Sequence, residues 1–454
     1  MDTGNTAWII VAAALVWLMT PGLGFFYGGL TRNKNLLATI MQSFIVIGLV
    51  GVVWVVIGYS LAFGPDAGGG LIGDLSWFGL KDVGQEPGGP AEGFVYGLDI
   101  PHELFMAFQM MFAIITPALI TGAFAERAKF STFLVFMVAW SLLVYSPVAH
   151  WVFAYDGLLS AFDTGSGTEG INSLDFAGGL AIHVNAAMAA VAAVIVFGKR
   201  RGYGSEPMEP SNVTYVVLGG ALLWFGWFGF NAGSAGGANG QAVNALVVTN
   251  TAAATAALTW MVLAWQFSGK PSVVGAVSGA VAGLVAITPA SGFVQPMEAI
   301  AIGFGAGALC YGAVRLRSKL AFDDSLDVVG VHGVGGAWGA IATGLFANAA
   351  VSGVEGFDGL FYGNASQLVD QTIALGVVAG YSLVATLIIL KVLDVTLGLR
   401  VTEEEEEMGL DLSQHGERGY ALDDALGVPL YQAPARAAGH ASSTASIERA
   451  PQGG

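Results

Sequence analysis

Long apolar runs separated by short polar connectors recur along the whole chain. A helix needs roughly 20 mainly apolar residues to cross hydrocarbon. Stretches of that kind fall near 7–30, 38–63, 101–124, 131–154, 176–198, 212–234, 246–268, 271–289, 296–316, 328–350 and 368–397. The pattern predicts an all-α polytopic membrane protein of about eleven transmembrane helices. The opening residues, MDTGNTAWIIVAAALVW, lack a basic region and include Asp2, so they read as a first span and not as a cleaved signal peptide.

The connectors assign an orientation. Arg32 and Lys34, Arg127 and Lys129, Lys199 to Arg201, Lys270, and Arg315, Arg317 and Lys319 occupy alternate connectors. The intervening ones hold Asp66, Asp74, Asp82, Glu86, Asp99, Glu103, Asp163, Glu169, Glu298, Glu355 and Asp358, with Lys81 as their basic residue. The positive-inside rule then places the N-terminus outside and the C-terminus inside. This divides the chain into a transmembrane domain, 1–400, and a cytoplasmic tail, 401–454, whose last portion is small and polar enough to be disordered.

An odd number of spans also fits duplication. If spans one to five and six to ten are two copies, they insert in opposite senses, as in many transporters, and the eleventh is an extra helix. Two echoes support this inverted five-helix repeat. LVWLMTPGLGFFYGG in the first span resembles ALLWFGWFGFNAGSA in the sixth, and SLDFAGGLAIHVNAA in the fifth resembles SLDVVGVHGVGG in the tenth.

Composition agrees: 54% hydrophobic and 11% charged residues, with a mean hydropathy of +0.66, are far from a soluble chain. Sixty-six glycines suit close helix packing in lipid. One cysteine, Cys310, excludes an intrachain disulfide framework. The net charge of −16 resides largely in outer connectors and the tail.

Ionisable groups at membrane depth are costly and mark function. His183 and His332 are two such groups in matching settings, and an inverted repeat would bring them together at the midplane. The plain alternative is a pair of histidines that merely ties neighbouring helices together. The sharper one is a pore-lining pair: an apolar setting disfavours charged rings, and a neutral imidazole offers one donor and one acceptor to a small polar solute. Metal binding is weaker, since no cysteine or carboxylate joins them at ligand spacing.

Phe108 and Phe112 share a helix face, and Phe230 follows the aromatic run Trp224–Phe228. Most such rings fill cores or face lipid. As a constriction, however, they would attract a cation by about 0.5–2 kcal/mol per ring. Full dehydration of an ion costs on the order of tens of kcal/mol, so a solute would cross more easily after losing its charge. Asp175 and Asp327 read as helix caps, and Asp323 and Asp324 as a solvated loop. Glycine clusters such as GGANGQ and HGVGG lack the strand–turn–helix setting of a nucleotide site. No cofactor, metal or nucleic-acid partner is expected, and no catalytic constellation marks an enzyme.

MTPGLGFFYGGLTRNKN, ITGAFAER, DFAGGLAIHVNAA, WFGFNAGSAGGANG and DVVGVHGVGG resemble, in order, motifs of the ammonium transporter family that includes the Mep and Rhesus proteins. The bacterial branch is the nearer likeness, and GLDLSQHGE resembles its C-terminal region. The resemblance implies a multi-pass cell-membrane homotrimer, ammonium or methylammonium as substrate, and a cytoplasmic PII signalling protein as partner. By the same resemblance, His183 and His332 are the twin histidines of the pore and Phe112 and Phe230 its stacked gate. Phe108, Ser234, Asp175 and Thr288 belong to the recruitment site. Phe153, in HWVF, stands where many members carry tryptophan. Trp151 points elsewhere on a helix, so weaker outer binding is expected. The implied mechanism deprotonates ammonium at the gate and conducts ammonia, with net charge transfer. A passive Rhesus-like gas channel and an ammonium sensor are the alternatives.

Overall fold

The computed structural model describes residues 1–87, 98–161, 171–320 and 322–420. Asp163, Glu169 and the end of the tail expected to be disordered lie outside the described residues. Eleven helices match the apolar runs: α1 Thr3–Leu30, α2 Asn33–Phe63, α3 His102–Phe124, α4 Phe130–Phe153, α5 Gly179–Phe197, α6 Val213–Gly233, α7 Gly240–Ser268, α8 Val273–Ile287, α9 Pro296–Arg317, α10 Val329–Phe346 and α11 Ala365–Leu397. Ten are long and apolar enough to cross a membrane. The 15-residue α8 rises only ~22 Å, and buried turns through residue 293 continue it. No strand occurs among the described residues.

Short polar side chains start several helices by accepting otherwise unpaired amides: Asp2 for α1, Asn212 for α6, Asn239 for α7 and Ser272 for α8. Small residues then decide packing. On α6, a Cβ at Gly219 would collide with the Phe26 backbone of α1, and one at Gly226 with the Leu15 carbonyl, so these two helices meet nearly backbone to backbone.

The helices alternate in direction. Asp2 bonds Asp99 just before α3, and Asn5 bonds Ala238 just before α7, which defines an N-terminal face. At the C-terminal face the connectors after α1, α3 and α5 meet those before α10 and after α11. Helix α5 therefore enters from the N-terminal face, whereas α10 enters from the opposite one, where the Leu326 amide bonds the Gly122 carbonyl at the end of α3. The fifth and tenth helices thus run antiparallel, as an inverted repeat requires.

The C-terminal face overturns one expectation. Asp323 and Asp324 are buried, not solvated. Asp323 takes a two-pronged ion pair from buried Arg200, with Nη2 to Oδ1 at 2.8 Å, and lies 3.8 Å from buried Arg127. Glu126 pairs with Arg32 at 2.5 Å and with Arg200 at 3.5 Å. Basic residues that the positive-inside rule reads as connector charges are therefore knitted into a buried network. The tail joins it. A short helix, α12 (Glu403–Met408), is held by Arg400 to Glu406 and by Lys34 Nζ to the Glu406 and Glu407 carbonyls. Asp411 accepts from the Ala38 amide at 2.8 Å. Residues 1–419 form one compact unit that includes the docked segment after residue 400.

Candidate functional site

The site grows from the first turns of α5 and α10. Asp175 accepts four amides: those of Gly178 and Gly179 on Oδ1, and those of Leu180 and Ala181 on Oδ2, at 2.5–3.1 Å. Gly178, at φ 112°, makes the turn that aims them. The next residues, Gly179–Val184, form a π-helical turn, and α10 also opens with one, Val329–Gly333. Such turns widen a helix by one residue and are frequent at functional sites. His183 sits in the first and His332 in the second.

The two rings meet. Their centroids are 5.2 Å apart and their planes differ by 25°. Nδ1 of one lies 3.2 Å from Nδ1 of the other, so one nitrogen donates and the other accepts. His183 is backed by Trp227 at 5.4 Å and 19°, and Phe230 lies 6.0 Å away at 16°. The Trp227 indole donates to Thr288 Oγ1 at 2.9 Å. Thr288 is fully buried, and its hydroxyl lies behind the ring that backs His183.

On the side of the N-terminal face, Phe230 meets Phe112 at 4.6 Å and 65°, and Phe112 meets Phe108 at 4.8 Å and 78°. Both contacts are edge to face. Beyond them opens a cavity of about 240 Å³ whose walls include Phe108, Phe153, Ser234 and Asp175. Ser234 Oγ donates to the Phe230 carbonyl at 2.8 Å, which leaves its lone pairs as acceptors. Trp151 is turned away, its indole bonded to the Leu71 carbonyl and its ring 4.6 Å from that of Tyr381. Gln109, Tyr155 and Phe176 also wall this vestibule. Sequence alone did not single them out, because nothing in their spacing distinguishes them from ordinary helix and loop positions.

Past the phenylalanines lies a chamber of about 10 Å³, room for about one water-sized molecule. Its walls are apolar apart from His183, His332 and the Trp227 indole. Phe26, Val281 and His332 separate it from a third space of about 50 Å³ that reaches Tyr27, Ser278 and Asp327. Asp327 is not the expected cap. It has φ 61° and pairs with Arg317 at 2.8 Å, while Asp324 accepts the Val329 amide at 2.7 Å. Burial pushes Asp327 up to about 7 and Asp324 up to about 6.

Three spaces thus follow one another from face to face through a double histidine. Residues 7–420 match the family model described as the Ammonium Transporter Family. The chain belongs to that family. It is 49% identical to the ammonium transporter of Bacillus subtilis, over 92% of this chain and 99% of that protein. It is 46% identical to ammonium transporter Amt1 of Archaeoglobus fulgidus, over 92% of this chain and all of that one. Among solved structures, Saccharomyces cerevisiae Mep2 superposes with a TM-score of 0.82 at 37% identity, covering 92% of each chain. A protein described as a sensor Amt protein superposes with a TM-score of 0.78 at 28% identity, over 91% of this chain and 98% of that one.

Proposed function

We propose that this member of the Ammonium Transporter Family is a multi-pass cell-membrane transporter of ammonium, with methylammonium as a second substrate, and not an enzyme. The N-terminal face is outside. Ammonium reaches the vestibule, where ring faces of Phe108 and Phe153 and the lone pairs of Ser234 receive a cation with four N–H donors. Asp175 adds negative potential from below while its oxygens hold the start of α5. At Phe112 and Phe230 the cation gives up a proton, because rings returning about 0.5–2 kcal/mol each do not replace a hydration shell worth tens of kcal/mol. Ammonia then passes the apolar chamber beside His183 and His332 and regains a proton in the space near Asp327. The separated proton follows, so charge is transferred, and potassium is excluded because it has no proton to shed.

The observation that carries this reading is the pair of rings at 3.2 Å in a chamber that is otherwise apolar and admits about one small molecule. Family membership supports a homotrimer with one pore per subunit and a PII signalling protein as cytoplasmic partner. The likeness to a sensor Amt protein favours, as a second reading, ammonium sensing through the docked tail. Proteoliposomes on a solid-supported membrane test both. Ammonium, but not potassium, is expected to give currents, and His183→Ala and His332→Ala to lose them or lose selectivity. Unchanged uptake and unchanged potassium exclusion in both variants would overturn the twin-histidine pathway. Binding without current in the unmodified protein would favour the sensor.

A further inference from the structure

Helix α11 stands outside the five-helix repeat, yet its polar side chains reach both of the helices that carry a pore histidine. Gln371, near its start, is fully buried. Oε1 accepts the Leu174 amide at 2.6 Å, while Nε2 donates to the Leu174 carbonyl at 2.8 Å and to the Ala340 carbonyl at 3.1 Å. A fourth bond comes from Gln367 Nε2 at 3.4 Å. A side-chain amide offers two donors and two lone pairs, so all of them are used. Turned over, this amide would set like against like at three backbone groups, which settles its orientation.

Leu174 lies outside the helices and immediately precedes Asp175, whose side chain starts α5. Ala340 lies in α10, one turn beyond Gly336. A Cβ at Gly336 would stand 3.1 Å from that of His183 and 3.2 Å from the Gly179 carbonyl, so α10 crosses the π turn of α5 there almost in backbone contact. One amide thus grips the entry to the His183 turn and the stretch of α10 that lies against it. Farther along α11, Ser382 Oγ donates to the Asn185 carbonyl at 2.6 Å, just after the same turn. Between these bonds, Ala374 and Val378 pack in one buried cluster with Leu180, Ala181 and Val184 of the turn.

A π turn is a rare departure from helical geometry, and α11 brackets this one at both ends. His183 and His332 meet only while α5 and α10 keep one register along each other. A slip of about 1.5 Å, one residue's rise, is enough to carry the 3.2 Å contact of their Nδ1 atoms out of hydrogen-bond range. We propose that Gln371 is a positioning residue of the transporter: it locks α5 and α10 in the register at which the two histidines share their hydrogen bond. The helix outside the repeat is then the brace that joins its two halves at the pore.

The effect on uptake rests on the pathway reading above, whereas the positioning itself does not, and two measurements separate them. With histidine nitrogen isotopically labelled in the lipid-embedded full chain, magnetic resonance reads the coupling between the two Nδ1 atoms across their hydrogen bond. Gln371→Met, similar in length but without hydrogen-bonding atoms to match, should abolish that coupling. Gln371→Asn keeps the amide but is a methylene too short to span both helices; it should do the same and guards against a variant that fails to fold. Gln367→Met is the control. Gln367 is buried as well, and among the described residues its bonds run to Asn172 at 2.7 Å and to Gln371, not to α10. Its loss should lower the melting temperature comparably and leave the coupling in place. In vesicles, Vmax for methylammonium should fall severalfold in both Gln371 variants and stay near the unmodified value in the control, with KM steady throughout. Coupling retained in either Gln371 variant, or lost equally in the control, would overturn the positioning role. Coupling lost with uptake intact would overturn the twin-histidine pathway and leave the positioning standing.

Discussion

Thr288→Val is the sharpest test of how the histidine pair is held. The substitution keeps shape and volume but removes the acceptor for the Trp227 indole N–H, at 2.9 Å in a fully buried setting. Thr288 in turn donates to the Leu284 carbonyl at 2.7 Å, within its own helical turn, and that carbonyl keeps its role in the turn. The loss is therefore concentrated on one buried N–H, which costs about 1–3 kcal/mol when left unpaired. Trp227 can relieve it only by tilting away, and its ring lies against His183 at 5.4 Å and 19°. If the whole cost falls on the conducting arrangement, flux drops roughly 5- to 150-fold; any share borne by global stability appears as a lower melting temperature. The assay is methylammonium uptake with KM and Vmax resolved, alongside Thr288→Ser, which restores the acceptor. Vmax should fall in valine and recover in serine, with KM steady in both. A raised KM at unchanged Vmax would refute the reasoning and place Thr288 in the recruitment site.

Asp175→Asn replaces an oxygen that accepts two amides with an N–H₂ group facing them. Charge-assisted bonds contribute about 1.5–3 kcal/mol each, so both melting temperature and uptake should fall severely. Arg200→Ala leaves Asp323 and Glu126 buried beside an emptied partner, at a cost of about 3–5 kcal/mol, and thermal melting should show it. At the C-terminal face, burial pushes Asp327 up to about 7 and Asp324 up to about 6. The folded chain then holds protons that the unfolded one, near its ordinary value of about 4, has released. That stability is fully present below about pH 4 and lost as pH rises through about 6 to 7, and Asp327→Asn should flatten the decline.

What the sequence made legible was whatever depends on local hydropathy. All eleven helices stand where apolar runs of membrane length lie, and His183 and His332 stand out because imidazoles are rare in such runs. The contacts among distant residues were not legible. Asp323 reads as a loop carboxylate until Arg200, far earlier in the chain, is placed over it. Residues 401–417 read as tail because nothing local reveals that Asn35 and Ala38 accept and donate to them. The π turns were hidden too, since one extra residue per turn leaves no mark in an alanine- and glycine-rich pattern.

The second carboxylate of the repeat illustrates that limit most usefully. Sequence likeness pairs Asp175 with Asp327 through the shared SLD, yet geometry pairs it with Asp324. Both Asp175 and Asp324 precede their histidine by eight residues, and both accept amides at the start of a π turn. The two halves then diverge. Asp175 has both oxygens occupied by amides. Asp324 spends one oxygen on Val329 while the other has no partner, and Asp327 lies beside it on a strained backbone, tied to Arg317. An inverted repeat with identical halves would present the same electrostatics at both mouths. Here the Asp175 carboxyl is fully spent on four amides at the start of α5. At the start of α10 two carboxyls share that setting, one keeping an unpartnered oxygen and the other tied to Arg317, so the repeat is not symmetric in its polar contacts.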